Sequence, residues 1–263
     1  MKILLTGSYG FIGKNIKNEL LPKHNLIYLE KDFIDNQDWE NLLEENVKLV
    51  DTILHIGAIS DTTLQDPNEM LKYNYWFSKK LFDCAKKYDK KVIYASSAAT
   101  TGVSGTPTSI YAWSKLMAEQ YGLALGGQFI ALRYFNVYGP GEEHKGKMAS
   151  VAYQAYKQGT FKLFPKNPKR DFIYIKDVVS ATLYPLINEI PSGVYEVGSG
   201  KARSFKDMLD YLEILHEYRN EEDIPDGYQY YTKSDSKKWM PGWKPEYNIE
   251  QGIKEYKKYL KNN

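Results

Sequence analysis

The sequence predicts an α/β protein with a doubly wound parallel sheet and a smaller C-terminal lobe. In the first half of the chain, short apolar runs alternate with longer segments of helical periodicity, a pattern typical of parallel strands joined by crossover helices. The first apolar run ends in three glycines, Gly7, Gly10 and Gly13, and an apolar-periodic segment begins among them at Phe11. Strand, glycine turn and helix therefore follow one another at the start of the chain.

Each glycine of this turn has a physical task in a nucleotide-binding loop. Gly7 permits a tight turn, Gly10 lets the backbone approach a pyrophosphate, and Gly13 lets the helix pack closely on the strand. The helix N-terminus then offers N–H groups and a positive dipole end to phosphate. The motif predicts a Rossmann-type dinucleotide site, although a strand–turn–helix connection without a ligand has the same pattern. We expect no domain or signal peptide before it.

Length and composition narrow the function classes. A chain of 263 residues with a formal net charge of +2 shows no electrostatic sign of a nucleic-acid or membrane-surface partner. No apolar stretch approaches the roughly 18 residues of a membrane span. The single cysteine, Cys84, excludes an internal disulfide and is typical of a reducing compartment, so we expect a cytoplasmic protein. No metal site is predicted.

The remaining elements follow from the same periodicity. In the first half we predict strands at 25–29, 51–56, 91–97 and 128–133, and helices at 37–45, 68–88 and 111–125. In the second half we predict strands at 171–175 and 193–197, and helices at 149–158, 204–216 and 249–260. We assign residues 1–135 and 171–200 to an NAD(P)-binding Rossmann domain, and residues 136–170 and 201–263 to a substrate-binding lobe.

Small and polar residues follow several of the predicted strands. In parallel sheets ligands bind at the carboxyl ends of the strands, and this is where 57–60, Ser96, Ser97 and Asn136 fall. His55 lies inside an apolar strand. We therefore expect it to be a buried, hydrogen-bonded histidine rather than a catalyst.

Glu30 bears on the choice of cofactor. It ends the second strand, where a Rossmann fold holds the adenosine ribose through an acidic side chain. Its carboxylate would repel a 2′-phosphate, which favours NAD over NADP, although the adjacent Lys31 weakens that inference. The alternative is an ordinary charged residue at a strand end.

Three polar side chains predict the chemistry. Tyr111 and Lys115 lie on one face of a predicted helix, and Ser97 ends a neighbouring strand. A phenol is a weak base at neutral pH, but a nearby ammonium group favours the phenolate and lowers the pKa of Tyr111. Tyr111 can then take a hydroxyl proton while a hydride leaves for a nicotinamide; Ser97 can hydrogen-bond the same oxygen, and Lys115 can hold the nicotinamide ribose. A Tyr-x-x-x-Lys pattern alone is also compatible with an unrelated surface pair.

Five stretches of the sequence resemble the extended short-chain dehydrogenase/reductase superfamily of NAD-dependent epimerases and dehydratases: TGSYGFIG, YASSAAT, YAWSK, RYFNVYGPGEEHKGKMASVA and KRDFIYIKDV. Within that superfamily, GPGEEHKGKMAS is similar to the ADP-L-glycero-D-manno-heptose 6-epimerase family. The resemblance extends to about Gly200. It implies a nucleotide-sugar epimerase of lipopolysaccharide biosynthesis that oxidises and reduces its substrate transiently with NAD or NADP and forms homo-oligomers.

The resemblance also implies roles for individual residues. The catalytic positions are Ser97, Tyr111, Lys115 and Lys145. The cofactor positions are Gly7, Gly10, Phe11, Ile12, Gly13, Glu30, Lys31, Gly57, Ala58, Ile59, Ser60, Asn74, Tyr111, Lys115 and Val137. The substrate positions are Ser97, Asn136, Lys147, Gln154, Phe164, Arg170 and Tyr228.

Two of these assignments also have a physical basis. Proton transfer on both faces of a carbon requires one group on each side, Tyr111 and Lys145, whereas by its sequence alone Lys145 is a solvated loop lysine. A planar guanidinium can hold a diphosphate in bidentate fashion, which suits Arg170. The alternative for Arg170 is a salt bridge to Asp171 or Asp177.

The chain departs from the family pattern on the sugar and base side. The segment between Thr101 and Tyr111 is shorter, Thr101 replaces a Tyr, and Gly227 replaces an Arg. Three other functions stay open: a reductase, a nucleotide-sugar 4,6-dehydratase and a non-catalytic cofactor-binding protein. A dehydratase requires an Asp/Glu acid/base pair beside the tyrosine, where residues 98–99 of this chain are alanines. A non-catalytic protein would usually have lost Tyr111 or Lys115, and both are present.

Overall fold

The computed structural model describes residues 1–224 and 228–262, which divide into two compact units. The first is Met1–Arg133 with Thr182–Tyr195, and the second is Tyr134–Ala181 with Glu196–Asn263. Residues 171–181 and 196–200 thus lie in the second unit, whereas the predicted division placed them with the Rossmann domain. The assignment of cofactor and substrate to separate units stays a prediction. No helix in the described ranges has the length and apolar character needed to cross a membrane.

The secondary structure alternates as predicted in the first half of the chain. The described strands are β1 (Lys2–Thr6), β2 (Asn25–Leu29), β3 (Thr52–His55), β4 (Lys91–Ser97), β5 (Phe129–Tyr134), β6 (Asn136–Tyr138), β7 (Thr160–Leu163), β8 (Lys169–Tyr174), β9 (Gly193–Val197), β10 (Ala202–Ser204) and β11 (Leu215–Tyr218). The described α-helices are α1 (Phe11–Leu20), α2 (Trp39–Lys48), α3 (Pro67–Leu71), α4 (Phe77–Lys87), α5 (Ile110–Leu125), α6 (Val151–Gln158), α7 (Ile175–Ile187), α8 (Phe205–Leu212) and α9 (Ile249–Asn262).

A six-stranded sheet in the order β2-β1-β3-β4-β5-β9 confirms the predicted fold class. β1 pairs in parallel with both β2 and β3, and β3 pairs in parallel with β4. The chain thus winds outward from β1 in both directions. Ile3, Leu4 and Leu5 are fully buried, which is expected of a strand covered by helices on both faces. Burying each such side chain contributes roughly 1.5–3 kcal/mol.

The second unit contains two small sheets. In the three-stranded sheet, β8 lies between β10, with which it pairs antiparallel, and β6, with which it pairs in parallel. β7 and β11 form a parallel pair. The buried Asp177 at the start of α7 accepts hydrogen bonds from the N–H groups of Glu246 and Tyr247 at 2.9 and 3.0 Å, which fastens the chain before α9.

Two predicted helices differ from the observed elements. The predicted helix 204–216 ends at Leu212, because Glu213 adopts a left-handed conformation with φ of 60°, and Leu215–Tyr218 forms β11 instead. The predicted helix 68–88 is interrupted by a π-helical segment, Lys72–Trp76, between α3 and α4. Four short strands, β6, β7, β10 and β11, were not predicted, because three or four residues give no clear periodicity and no long apolar run marks them.

The core of the first unit allows a stability prediction. Leu81 is fully buried in the hydrophobic cluster that also contains Cys84, whereas Leu49 is 58% exposed. We expect Leu81→Ala to lower the free energy of unfolding by about 2–5 kcal/mol, because it removes buried methyl groups and leaves a cavity. Leu49→Ala should change it by less than about 0.5 kcal/mol. Urea unfolding followed by circular dichroism measures both, and equal effects would contradict the described core.

Candidate active site

The turn between β1 and α1 has a steric need for glycine. Gly7 has a φ of 71°, and a Cβ on it would lie 2.5 Å from the Cα of Gly57. A Cβ on Gly13 would lie 2.0 Å from the carbonyl oxygen of Gly7. Gly10 is the N-cap of α1, and the first turn of that helix carries no acidic residue. The N-terminus of α1 therefore keeps the positive dipole end that favours phosphate.

Glu30 lies against this turn. Its Oε1 accepts a hydrogen bond from the N–H of Ser8 at 2.8 Å. The Ser8 hydroxyl is buried and has no hydrogen-bond partner within 1–224 and 228–262. Lys31, the residue after Glu30, forms an ion pair with Glu69, in which Nζ and Oε1 are 3.0 Å apart. Glu30 is thus part of the loop structure as well as a charged residue at a strand end.

A chain of hydrogen bonds joins the ends of β1 and β3 through His55. The N–H of Gly57 donates to Thr6 Oγ1 at 2.9 Å, Thr6 Oγ1 lies 2.8 Å from His55 Nδ1, and His55 Nε2 lies 2.7 Å from Ser78 Oγ. Ser78 Oγ donates to the carbonyl of Asn74 at 2.7 Å. Burial, with the nearby charge of Lys115, lowers the pKa of His55 to about 3, so the ring is neutral. The prediction of a buried, hydrogen-bonded histidine is confirmed.

These partners fix the tautomer of His55. Ser78 uses its proton on a carbonyl, so it accepts from Nε2–H of His55. Nδ1 must then accept the proton of Thr6, whose oxygen accepts from Gly57. In this series of hydrogen bonds, each donor and each acceptor is therefore fixed.

Asn74 continues this chain into the loop after β3. Its Oδ1 accepts from the N–H of Ile59 at 2.7 Å, and its Nδ2 donates to the carbonyl of Ile59 at 2.9 Å and to Ser114 Oγ at 3.1 Å. The side chain is buried in the π-helical segment. Asn74, predicted as a cofactor residue, therefore positions the loop that contains Gly57, Ala58, Ile59 and Ser60.

The predicted catalytic residues of the first unit lie together. Tyr111 and Lys115 lie about one helical turn apart on α5, and Ser97 is the last residue of β4. Contrary to the predicted lowering by Lys115, burial raises the pKa of Tyr111, and a side-chain hydrogen bond with Ser97 opposes that rise. Burial lowers the pKa of Lys115 to about 7, and Glu119 opposes the change. The Lys115 ammonium lies 4.2 Å from the centroid of the Tyr94 ring and has no hydrogen-bond acceptor in the described part of the chain.

A buried carboxylate stands one turn beyond Lys115. Glu119 is fully buried and accepts two hydrogen bonds from Arg133, at 2.9 and 2.6 Å, and one from Ser96 Oγ at 2.7 Å. A bidentate arginine satisfies both carboxylate oxygens, so the charge can stay buried. Sequence reasoning missed Glu119, although its spacing of four from Lys115 on the same helix was a usable signal.

In the second unit, a buried glutamate organises the loop that bears Lys145. Glu142 accepts hydrogen bonds from the N–H of Gly139 at 3.2 Å, from Ser150 at both N–H and Oγ, and from Tyr256 Oη at 2.9 Å. It thereby joins the two ends of the loop to each other and to α9. Burial lowers the pKa of Lys145, and Glu142 opposes this effect. No sequence motif distinguished Glu142 from the neighbouring Glu143.

Three other residues assigned to the substrate lie near this loop in the chain. Gln154 Nε2 donates to the carbonyls of Lys147 and Ala149 at 3.1 and 2.6 Å, so its amide supports the loop backbone. Lys147 and Asn136 are exposed. Asn136 begins β6, and Val137, which was assigned to the cofactor, follows it in the second unit.

The other substrate residues of the second unit lie around an aromatic cleft with a volume of about 130 Å³, lined by Phe164, Phe205 and Tyr228 among others. Phe164 and Tyr228 meet edge to face with ring centroids 5.1 Å apart. The Arg170 guanidinium lies 5.2 Å from the Tyr228 ring and 5.7 Å from the Phe205 ring. Arg170 forms no salt bridge with Asp171 or Asp177, which was the alternative given above. Asp171 accepts hydrogen bonds from residues 199, 200 and 234, and Asp177 accepts them from the backbone before α9. Gly227, which precedes Tyr228, lies outside the described residues.

The structure thus groups the predicted residues by unit. The first unit brings together those around the glycine turn, the loop after β3 and the catalytic tyrosine, which are Gly7, Gly10, Phe11, Ile12, Gly13, Glu30, Gly57, Ala58, Ile59, Ser60, Asn74, Ser97, Tyr111 and Lys115. The second unit carries Asn136, Val137, Lys145, Lys147, Gln154, Phe164, Arg170 and Tyr228.

Known proteins with similar sequences and structures identify the family to which the chain belongs. A family model described as NAD dependent epimerase/dehydratase family matches residues 3–198. The chain belongs to this family. ADP-L-glycero-D-manno-heptose-6-epimerase of Cupriavidus pinatubonensis is 36% identical over 268 residues, covering 86% of this chain and 80% of that protein.

Solved structures of the epimerase/dehydratase family resemble the whole chain. ADP-L-glycero-D-manno-heptose-6-epimerase of Helicobacter pylori has a TM-score of 0.85 at 27% identity and covers 100% of this chain and 96% of its own. A UDP-N-acetylglucosamine 4-epimerase from Methanobrevibacter ruminantium, in complex with UDP-N-acetylmuramic acid, has a TM-score of 0.86 at 25% identity, covering 99% and 98%. The protein is an enzyme of this NAD-dependent family, as predicted.

The residues of the first unit fit NAD. The glycine turn brings bare backbone to a helix N-terminus, which suits a pyrophosphate. The buried Ser8 hydroxyl and the Lys115 ammonium are donors without acceptors in the described ranges, and Glu30 offers a carboxylate to ribose hydroxyls. These four features are the donor and acceptor set that a dinucleotide requires.

The buried ammonium of Lys115 predicts a pH-dependent stability. Its folded pKa of about 7 lies below the ordinary 10.5, so between these pH values the unfolded chain binds more protons than the folded one. The free energy of unfolding therefore rises with pH, by up to about 1.4 kcal/mol per pH unit from this group. In Lys115→Met this contribution is absent.

Lys115→Met removes the buried ammonium, so we compare its free energy of unfolding with that of the wild type at two pH values. We expect the value for Lys115→Met minus the value for the wild type to be about 2 kcal/mol smaller at pH 9 than at pH 7. Urea unfolding of the cofactor-free proteins measures it. The exposed Lys86→Met is the control and should show a difference that does not depend on pH. A pH-independent difference for Lys115→Met would contradict the burial of a destabilised ammonium.

The loop held by Glu142 gives a second prediction. In Glu142→Gln an amide N–H₂ replaces one acceptor oxygen and meets a donor, so we expect a loss of about 1–3 kcal/mol in the free energy of unfolding. The exposed Glu143→Gln is the matched control and should lie within about 0.5 kcal/mol of the wild type. Chemical denaturation compares the two, and similar stabilities would show that the hydrogen bonds of Glu142 contribute little.

Proposed function

We propose that the protein is a nucleotide-sugar epimerase that oxidises and then reduces one carbon of its substrate, with Tyr111 as the base. The observation that carries the proposal is the group formed by Tyr111, Lys115 and Ser97 in the unit that also contains the glycine turn. The named relatives support an epimerase rather than a net oxidoreductase, since each acts as an epimerase by its name.

The residues of the first unit have complementary tasks in this proposal. NAD, when bound, accepts one hydride from the substrate and returns it. Tyr111 takes the hydroxyl proton, and Ser97 donates a hydrogen bond to the same substrate oxygen. Burial makes the Tyr111 phenolate unfavourable, and the hydrogen bond with Ser97 offsets part of that cost. We propose that the positive charge of Lys115, on the same face of α5, acts in the same direction. The pKa of Lys115, about 7, leaves it able to exchange a proton at neutral pH.

Lys145 is proposed as the second acid/base. Inversion requires that protons be handled on both faces of the oxidised carbon, and one tyrosine cannot reach both. Burial lowers the pKa of Lys145, which brings a lysine closer to the range useful for proton transfer. Its place in the loop fixed by Glu142 supports a defined position.

We propose that the aromatic cleft of the second unit binds the nucleotide part of the substrate. Aromatic walls suit a base, and Arg170 beside them suits a diphosphate. The relatives point to ADP-L-glycero-D-manno-heptose as the first candidate. The short segment between Thr101 and Tyr111 lies on the sugar side of the family pattern, so a different sugar is the alternative. A 4,6-dehydratase is disfavoured because alanines occupy 98–99.

We further propose that the enzyme is a homo-oligomer. Trp76, Trp113 and Met117 are exposed to 56%, 48% and 38%, and α5 packs against the helix that contains Trp76. Three large apolar side chains on packed helices are more than scattered surface positions require. Light scattering of the wild type and of Trp113→Glu tests this point. The cytoplasmic location remains a prediction.

The reaction itself can be tested with a panel of ADP-, UDP-, GDP- and dTDP-sugars in D₂O. Product NMR should show inversion of one carbon with no solvent deuterium at that carbon, because the same hydride returns. Absorbance of reduced nicotinamide should show no net turnover. Net consumption of cofactor would support a reductase instead, a deoxy-keto product a dehydratase, and unchanged sugars throughout a non-catalytic protein.

Tyr111→Phe should lower the rate of epimerisation by about 10²–10⁴-fold or more, because the proton acceptor is lost. The dissociation constant for NAD, measured by calorimetry, should change by less than about threefold, since no donor to the pyrophosphate is removed. Tyr121→Phe on the same helix is the control and should keep wild-type activity. Substantial activity of Tyr111→Phe would overturn its assignment as the base.

A further inference from the structure

A second arginine stands directly opposite Arg170. β10 and β8 are antiparallel, and their register places Arg203 against Arg170. Directly opposed residues of an antiparallel pair point to the same face, with Cβ atoms about 4.5–5.5 Å apart. Phe205, the first residue of α8, contacts both Phe172 and Arg170, so α8 begins on the face of β8 that carries Arg170.

Neither arginine has an acidic partner in the described ranges. Arg170 is buried, and its Nη1 donates a hydrogen bond to the carbonyl of Lys169 at 3.0 Å. The Nε of Arg203 is buried and has no hydrogen-bond partner among residues 1–224 and 228–262. Asp171, the residue after Arg170, already accepts five hydrogen bonds from Ser199, Gly200 and Ser234. Asp207, four residues after Arg203, accepts one from the N–H of Ser204. Two like charges placed opposite each other destabilise a sheet, and an anion bound between them would relieve that repulsion.

The place of this pair indicates what the anion is. Arg170 lies over Tyr228 and Phe205, both of which line the aromatic cleft. An anion held between two guanidinium groups at the edge of an aromatic cleft is consistent with a nucleotide whose base occupies that cleft. Two planar guanidinium groups match the several oxygens of a diphosphate better than one does.

We propose that Arg203 and Arg170 together bind the diphosphate of the nucleotide sugar. No motif in the sequence identifies Arg203 as a binding residue. This inference rests on the proposed binding of a nucleotide in the second unit. It does not depend on the epimerisation chemistry, because it concerns affinity alone.

Calorimetry with the cofactor-saturated enzyme tests the pair. The probes are ADP, UDP, AMP, UMP and inorganic pyrophosphate. We expect Arg203→Met to weaken the binding of the better nucleoside diphosphate at least tenfold and of its monophosphate less, and Arg203→Lys to recover part of the loss. Lys201→Met, which removes the same charge from an exposed position two residues away, should stay within twofold of the wild type.

A second readout separates anion binding from a structural role. Without ligand, Arg203→Met should melt at a higher temperature than the wild type, because a like-charge contact is removed. With a saturating diphosphate its gain in melting temperature should be smaller than that of the wild type. A structural arginine would lower the melting temperature in both conditions. Arg203→Gln replaces Arg203→Met if the latter does not fold.

The outcomes are distinct. Diphosphate affinity within twofold of the wild type in Arg203→Met would overturn the proposal, whatever the sugar panel shows. Loss of pyrophosphate binding with unchanged nucleotide binding would also overturn it, since the anion site would then lie outside the nucleotide site. Weakened diphosphate binding with no epimerisation of any sugar would support the arginine pair and reject the proposed activity.

Discussion

The hydrogen-bond chain through His55 is the constraint on which the geometry of the first unit depends. It begins at the N–H of Gly57, passes through Thr6, His55 and Ser78, and reaches Asn74, whose side chain holds the same loop again at Ile59. Thr6 directly precedes the glycine turn, so the turn and the loop after β3 are fixed together. Because each member has one direction, removing one partner leaves another buried polar group unsatisfied, at a cost of about 1–3 kcal/mol.

The sequence was sufficient to predict those features that a single residue type or a regular spacing determines. Gly7 and Gly13 are required by contacts with backbone atoms, which only glycine permits. Tyr111 and Lys115 share a helix face because helical spacing places them there. His55 could be recognised as buried from the apolar strand around it. These inferences needed no knowledge of distant contacts.

Other features depend on partners that are distant in the chain. The partners of Glu142 include Tyr256, more than a hundred residues away, so nothing local distinguishes it from Glu143. Asn74 lies in the π-helical segment, and hydrogen bonds to the distant residues Ile59 and Ser114 hold its side chain there. The periodicity of the sequence alone resembled that of an ordinary helix. Arg203 and Arg170 face each other only through the register of β8 and β10, which no pattern within either strand specifies.

The burial of Lys115 lowers the stability of the fold while it serves the chemistry proposed for this residue. The ammonium is held beside the face of Tyr94, away from water and without an acceptor in the described ranges, so a purely apolar residue would suit the same volume better. Selection for a robust fold alone would therefore tend to erase this lysine. The catalytic role proposed for Lys115 gives a reason to retain this instability, and stabilising substitutions sought by directed evolution without a screen for turnover should then accumulate first around α5.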